Sequence, residues 1–160
     1  RRLTSLGYSK KLREGKFFRD EWVLFDDKAQ TFHSRTIGRD GNFSVREGTI
    51  PVTVQDILSS LYFIRSHDLI EGSDITLDVN TRENWPLVVR VIKRETVKTP
   101  AGKFKAVLVE PAIRKEGIFI QKGKKMRVWL TDDERKMPVL IKVEVFFGHI
   151  TIALSEFSPQ

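Results

Sequence analysis

The chain has 160 residues, 40% of them hydrophobic and 31% charged, a balance typical of a folded globular protein that excludes a disordered one. It has no cysteine, which excludes disulfide bonds, thiolate nucleophiles and thiolate metal sites. The net charge of +7 favours an anionic partner such as nucleic acid, phospholipid headgroups or acidic polysaccharide, although a solvated basic surface explains it equally well. No apolar run approaches the roughly 18 residues that a transmembrane helix requires. The basic residues cluster at Lys10, Lys11, Arg13 and Lys16, and again at Lys122, Lys124, Lys125 and Arg127.

Alternating polarity in the first third of the chain predicts antiparallel strands. Residues 6–12 and 17–25 predict a hairpin that turns at Glu14-Gly15. A third strand is expected over residues 29–37, after a turn at 26–28. The next segment contains the Asp40-Gly41 and Glu47-Gly48 pairs and then Pro51, and we interpret it as a loop.

One segment changes to helical spacing. Residues 53–66 predict an amphipathic helix, with Thr53 as the amino-terminal cap and Asp56 three residues later, as in a capping box. A lone striped helix must cover something, and we expect it to lie on a face or open end of the sheet. The residues of the predicted stripe are Val54, Ile57, Leu58, Leu61, Tyr62 and Arg65.

Strand patterns resume after the helix and continue to the end of the chain. Turns are expected at residues 81–86, 99–102 and 132–134, and tight hairpins at Lys122-Gly123 and Gly148. The expected fold is mainly β, a curved antiparallel meander or incomplete β-barrel of eight to ten strands in a single domain over residues 1–160. The predicted strands are residues 74–80, 87–98, 103–110, 117–121, 124–131, 137–147 and 149–157.

No motif assembles a catalytic or metal site. Asp132, Asp133 and Glu134 form the densest acidic cluster, but adjacent carboxylates on a turn diverge, so we interpret the cluster as a solvent-facing turn rather than a calcium or acid/base site. His33, His67 and His149 lack the spacing of zinc ligands. The sequence therefore predicts no catalytic residue, no metal ligand and no cofactor, and a protein that is not an enzyme.

Aromatic residues beside cations are the candidate ligand-binding residues, because such pairs stack on bases or sugars. Alternation in the strands favours the core for Trp22 and Trp129. Trp85 stands beside Pro86 in a predicted turn and is expected to be more exposed. The candidates for ligand binding are Trp85, Tyr62, Trp129 and Arg127.

The order of motifs resembles the bacterial family catalogued as domain of unknown function 3108. The resemblance spans residues 6–157, and its most specific element is Trp129 to Pro138, followed by the helix motif Gln55 to Arg65. It implies a β-rich, exported envelope protein of Gram-negative bacteria, periplasmic or associated with the outer membrane, with no established enzymatic activity. It implies no catalytic residues.

The amino terminus departs from the family pattern, because family members begin with further strands. The sequence starts Arg1-Arg2-Leu3, with neither Met nor an apolar leader, so we expect a processed product or part of a longer chain. A sheet edge near Leu3–Glu14 is then expected to be open, or filled by an envelope protein partner.

Two kinds of function remain after these exclusions. The first is a non-enzymatic envelope protein that binds a lipid-like, hydrophobic or amphiphilic ligand, or an envelope component, against the concave face of the sheet. The alternative is a carbohydrate- or polyanion-binding module that uses Trp85 and the basic clusters, with a polysaccharide as ligand. A nucleic-acid partner is disfavoured because no RNA-binding signature is present.

Overall fold

The computed structural model describes residues 3–112, 125–145 and 147–158 of the chain. Within these ranges the fold is mainly β, with one short helix between the fourth and fifth strands. The strands are β1 (Gly7–Glu14), β2 (Phe17–Asp26), β3 (Thr31–Gly38), β4 (Phe43–Thr49), β5 (Asp74–Asn80), β6 (Asn84–Thr99), β7 (Gly102–Ala112), β8 (Met126–Thr131), β9 (Pro138–Val145) and β10 (Gly148–Ala153); the helix is α1 (Ile57–Arg65).

The strands form two antiparallel meanders, as the alternation in the sequence predicts. A four-stranded sheet has the order β1-β2-β3-β4, and a six-stranded sheet has the order β10-β9-β8-β7-β6-β5. The chain divides into two compact units, Arg1–Phe63 with Leu77–Pro86 and Ile64–Thr76 with Leu87–Gln160. Neither sheet closes on itself within the described residues, because each order has two end strands.

The first unit builds its core on one face of the four-stranded sheet. In β2 the odd-numbered side chains from Glu21 to Phe25 are buried, and the even-numbered ones point to the opposite face. The β2–β3 register sets Phe25 opposite Phe32, so that apolar side chains meet across the strands. This core consists of Val23, Phe25, Phe32, Ile50 and Val54, with Tyr8 packed against it.

The second unit buries both faces of its central strands. All four residues from Ala106 to Val109 in β7 are buried, as are Val128 to Thr131 in β8. Such continuous burial requires cover on both sides of a sheet. One core cluster consists of Val97, Ala106, Leu108, Trp129, Val139 and Leu140, with Phe104, Met137 and Leu154 packed against it.

The helix is shorter than predicted and begins at a different cap. Oδ1 of Asp56 accepts hydrogen bonds from the backbone N–H groups of Leu58 (2.7 Å) and Ser59 (3.1 Å). The Ser59 hydroxyl in turn accepts from the Asp56 N–H at 2.9 Å, which completes a capping box. The prediction that Thr53 caps the helix is wrong, because Thr53 lies in a turn before the helix and Gln55 forms a parallel bridge with Val79.

The predicted apolar stripe of the helix is also wrong in phase. Leu58 is 73% exposed and Tyr62 is exposed as well, whereas Ser60 and Ile64 are buried. The true buried face repeats every four residues from Asp56 through Ser60 to Ile64. Small and polar side chains on that face hide it from a search for apolar periodicity.

Strand β4 replaces the loop predicted around Glu47-Gly48. Gly48 stands opposite Phe32 in the β3–β4 register, and a Cβ at Gly48 would lie 2.8 Å from the Phe32 ring. The glycine therefore gives the buried Phe32 ring room to lie across β4. It lies within the strand and does not mark a loop.

The other strand predictions that fall on described residues agree with the structure, apart from their end residues. The hairpin at Gly15, β5 at Asp74–Asn80 and the turn before Gly102 are confirmed, as is the hairpin at Gly148. The predicted strand over residues 117–121 and the predicted hairpin at Lys122-Gly123 lie outside the described residues. Over the ranges given above, α1 is far too short to cross a bilayer, and no other helix could do so.

Replacing the observed cap should destabilise the fold more than replacing the predicted one. Asp56→Ala removes two cap hydrogen bonds and the buried bond that Oδ2 accepts from the Ser5 hydroxyl at 2.6 Å. We expect it to lower the free energy of unfolding by about 1–2 kcal/mol. Thr53→Ala, at an exposed side chain, is the matched control and should change it by less than about 0.5 kcal/mol. Urea unfolding measures both, and equal losses would contradict the assignment of the cap.

Candidate functional site

The face of the four-stranded sheet opposite its core carries large apolar side chains. Leu24 and Phe43 are 64% and 63% exposed, and Trp22 and Val45 are also exposed. The predicted core position of Trp22 is therefore wrong, because its side chain points away from Val23 and Phe25. We define the apolar face as Trp22, Leu24, Ile37, Phe43 and Val45, together with Arg35.

A cation lies at the centre of the apolar face. The register sets Arg35 between Trp22 on β2 and Val45 on β4. Its guanidinium lies 4.8 Å from the centre of the Phe43 ring, within cation–π range. No carboxylate pairs with Arg35 in the described part of the chain, so its charge is available to a ligand.

More positive charge borders the apolar face on β1. The register sets Lys11 opposite Asp20, and the Arg13 guanidinium donates to the Asp20 carboxylate at 2.6 Å. That hydrogen bond is the main reason why the pKa of Asp20 lies below its ordinary value. Arg13 also lies 3.5 Å from the Phe18 ring centre, so aromatic and cationic groups alternate here as well.

A buried carboxylate on the opposite face was missed by the sequence analysis. Glu21 is almost fully buried, and its Oε1 accepts a 2.5 Å hydrogen bond from the Tyr8 hydroxyl. Arg82 Nε lies 3.3 Å from Oε2 without hydrogen-bond geometry, so the contact is a charge pair. Burial, and then the bond to Glu21, raise the pKa of Tyr8 well above its ordinary value, so the hydroxyl stays protonated.

The position of Arg82 indicates that this network has a structural role. Arg82 has a positive φ of 76°, and its N–H donates to Asn80 Oδ1 at 2.9 Å in an Asx turn. The turn between β5 and β6 is thereby tied to β1 and β2 of the same unit. Removing one partner of such a pair would leave a buried charge uncompensated.

The acidic turn after β8 is held by its own side chains. The Thr131 hydroxyl donates to Asp133 Oδ1 at 2.6 Å, and the same hydroxyl accepts from the Met137 N–H at 2.8 Å. Asp133 Oδ2 accepts two hydrogen bonds from the Arg135 guanidinium. Asp132 pairs separately with Arg94 at 3.1 Å. The interpretation of Asp132-Asp133-Glu134 as a turn is confirmed, and its carboxylates serve different partners.

A cleft of about 350 Å³ lies beside this turn. Arg94 enters it, donating to the Leu69 carbonyl at 2.8 Å and pairing with Glu71 at 3.5 Å as well as with Asp132. The polar groups are thus largely used in joining segments of the second unit. The lining residues are Asp68, Leu69, Ile70, Arg94, Val107, Thr131, Asp132, Asp133 and Lys136.

Two of the candidate ligand-binding residues, Arg127 and Trp129, share one face of β8. Arg127 lies 3.5 Å from Glu110 and 3.7 Å from Glu144, so its charge is already paired. Trp129 is buried, as predicted, and its indole N–H donates to Glu95 Oε1 at 2.9 Å. This bond is the main reason why the pKa of Glu95 lies below its ordinary value.

The other two candidates, Tyr62 and Trp85, lie on α1 and β6. Tyr62 is exposed on the helix. Trp85 is the second residue of β6, not part of a turn as predicted, and is only half-buried. Its indole N–H donates to the Thr81 hydroxyl at 3.0 Å.

The histidines are dispersed in the structure as they are in the sequence. His33 lies 2.8 Å from Glu47 across β3 and β4, His67 follows α1, and His149 lies on β10. In the ranges that the structure covers, no group of three or more His, Asp or Glu side chains is placed to hold a metal ion.

Comparison with known proteins identifies a family. The sequence model of a family described as "Protein of unknown function (DUF3108)" matches residues 1–155. No curated protein and no solved structure matches the chain.

The turn after β8 should lose stability in acid. The hydrogen bond from Thr131, and then Arg135, hold the pKa of Asp133 below its ordinary value of about 3.9. A carboxyl group with a lower pKa in the folded state stabilises the fold above the unfolded pKa, and this stability is lost as the pH falls through the folded pKa.

Asp133→Asn should therefore be less stable than the parent at pH 7 by on the order of 1 kcal/mol, since the side chain is 39% exposed and solvent screens its charge. The difference should shrink as the pH falls below about 4. Glu134→Gln, at the exposed neighbouring position, is the control and should match the parent throughout. Unfolding curves at several pH values measure this, and a constant difference from pH 7 to pH 2 would contradict the role of the charge.

Proposed function

Because the chain belongs to the DUF3108 family, whose description assigns no activity, we propose its function from its exposed chemistry. We propose a non-enzymatic cell-envelope protein that binds anionic amphiphilic molecules, such as envelope lipids, on the apolar face of the four-stranded sheet. The single observation that carries this proposal is the exposure of Trp22, Leu24, Phe43 and Val45 on one sheet face.

The apolar groups supply the driving force for binding. A monomeric protein seldom exposes several neighbouring large apolar side chains unless they meet a ligand or partner. Burying one such side chain contributes roughly 1.5–3 kcal/mol. Leu24 and Phe43 are both more than half exposed, so an acyl chain that covers them gains most of that free energy.

The cation in the same face supplies the preference for an anionic headgroup. Arg35 stands between Trp22 and Val45, so a ligand that covers those side chains brings its polar end close to the guanidinium. A guanidinium binds a phosphate with two parallel hydrogen bonds. The neighbouring Lys11 and the overall charge of +7 add attraction at longer range.

The placement in the periplasm or at the outer membrane is part of the proposal and is supported by the family resemblance. A protein that binds amphiphiles would meet its ligands there. Recovery of the chain in the periplasmic or outer-membrane fraction of its bacterial host tests the placement, and recovery in the cytosol would contradict it.

A carbohydrate- or polyanion-binding role has less support. It depends on Trp85 and the basic clusters. The Trp85 side chain, however, is partly covered in its strand, and its indole N–H is already donated to Thr81. Lys125 and Arg127 both pair with Glu110. The described part of the second basic cluster is therefore largely neutralised.

Binding to vesicles tests the proposal directly. The protein should co-sediment with vesicles of phosphatidylglycerol and phosphatidylethanolamine. It should bind more weakly to vesicles of phosphatidylcholine alone, because phosphatidylcholine carries no net charge. The double variant Leu24→Ser/Phe43→Ser should weaken binding more than tenfold, since each lost side chain removes about 1.5 kcal/mol or more.

The control is Leu58→Ser on α1. This side chain is 73% exposed but lies outside the apolar face, so the variant should bind like the parent. Equal binding by all three proteins, or no sedimentation of the parent with anionic vesicles, would overturn the proposed function.

A further inference from the structure

Strand β10 is an edge of the six-stranded sheet, and all six of its residues are exposed. It pairs with β9 on one side, in an unbroken register from Gly148 opposite Val145 to Ala153 opposite Leu140. On the other side no strand of the described chain pairs with it. An exposed edge of this kind presents unpaired backbone groups to a second strand.

The hydrogen bonds show which residues present those groups. The Leu154 N–H donates to the Val139 carbonyl at 2.9 Å, in continuation of the β9–β10 register. In an antiparallel pair, successive residues direct their N–H and C=O groups to opposite sides. Even-numbered residues of β10 therefore face β9, while His149, Thr151 and Ala153 direct their backbone groups outward.

The four edge strands of the described residues differ in their protection. Natural edge strands are guarded by charges, prolines or bulges. Among the other edges, β1 carries Lys10, Lys11 and Arg13, β4 carries Arg46 and Glu47, and β5 carries Asp74 and Asp78. The sequence of β10, GHITIA, has no Lys, Arg, Asp, Glu or Pro, and its register has no bulge.

We propose that β10 is a dimerisation edge, which pairs antiparallel with β10 of a second copy of this chain about a twofold axis at Thr151. This inference is independent of the proposed lipid binding. The partner is a second copy of the same chain because β10 can pair with itself: its backbone groups and its side chains both match when two copies are related by this axis.

The first requirement is that the outward backbone groups meet. A twofold axis at Thr151 sets Thr151 opposite its counterpart and His149 opposite Ala153 of the second copy. All of these residues direct their N–H and C=O groups outward, so the pairing forms about six backbone hydrogen bonds. An axis at Ile150 would pair only His149 and Thr151 among the outward-facing residues of β10, and would form about four such bonds.

The second requirement is that the side chains brought opposite each other pack together without repulsion. The same axis sets Ile150 opposite Ile152 of the second copy, at the closely spaced positions where side chains contact best. These side chains are 52% and 58% exposed in the single chain. Pairing covers Ile150 and Ile152 in each of the two copies. No like charges oppose each other, because β10 contains no Lys, Arg, Asp or Glu. A closed pair with one self-complementary patch is the commonest form of oligomer.

Sedimentation equilibrium of the whole chain from 5 to 200 µM tests the inference. The parent should approach the mass of a dimer as the concentration rises. Thr151→Lys would oppose two positive charges across the axis and should raise the dimer dissociation constant more than tenfold. Thr151→Val keeps the strand propensity and should dimerise like the parent. Ile70→Lys, at an exposed isoleucine away from β10, should do so as well.

Cross-linking tests the register directly. The chain has no cysteine of its own, so an introduced cysteine has no competing thiol. In Thr151→Cys the two thiols face each other with Cα atoms about 5.5 Å apart, within disulfide range, so an oxidant should link them. In Ala153→Cys the two thiols lie more than about 13 Å apart along the strands and should not link.

Three results would overturn the inference. They are a monomer at every concentration, a Thr151→Lys variant that dimerises like the parent, and equal cross-linking at positions 151 and 153. Far-UV circular dichroism confirms that each variant keeps its β structure.

Discussion

Strand β2 carries four consecutive apolar residues, Trp22 to Phe25, and a β-strand cannot bury all of them on one side. Val23 and Phe25 enter the core of the first unit, so Trp22 and Leu24 must point to the other face. Strand β4 adds Phe43 and Val45 to that face. The exposed apolar surface is thus a direct consequence of the strand period, and the functional account depends on it.

Several charged side chains of the described residues join segments of the fold. In the second unit Arg94 joins the segment at Leu69 to the turn at Asp132, and Arg127 bridges Glu110 and Glu144. In the first unit Glu21 is held by Tyr8 and Arg82. Arg35 differs because its neighbours in the register are apolar and its close contact is the Phe43 ring. A cation in an apolar surface is suited to a molecule with an anionic head and an apolar body.

Much of the fold was predictable because the strands alternate and their turns contain glycine. The hairpins at Gly15 and Gly148 and the whole of β5 follow from those two signals. Strand β4 was missed because Gly48 reads as a loop residue, although it makes room for the Phe32 ring. The cap was misplaced because both Thr53 and Asp56 fit a cap, and only the structure shows Asp56 bonded to Leu58 and Ser59.

The candidate site was not predictable in the same way. Sequence alternation assigns side chains to two faces but does not say which face is covered, so Trp22 was placed in the core. Trp85 was placed at the surface because Pro86 follows it in a predicted turn, although it lies in β6. The buried pair Glu21 and Arg82 left no pattern in the sequence, since its members are far apart along the chain and meet only through the turn after β5.

The most direct measurement uses bilayers whose acyl chains carry bromine, which quenches tryptophan fluorescence on contact. The account predicts that binding quenches the parent and that Trp22→Phe abolishes this quenching while the variant still binds. Undiminished quenching in Trp22→Phe would show that another tryptophan meets the bilayer and would contradict the apolar face as the binding surface.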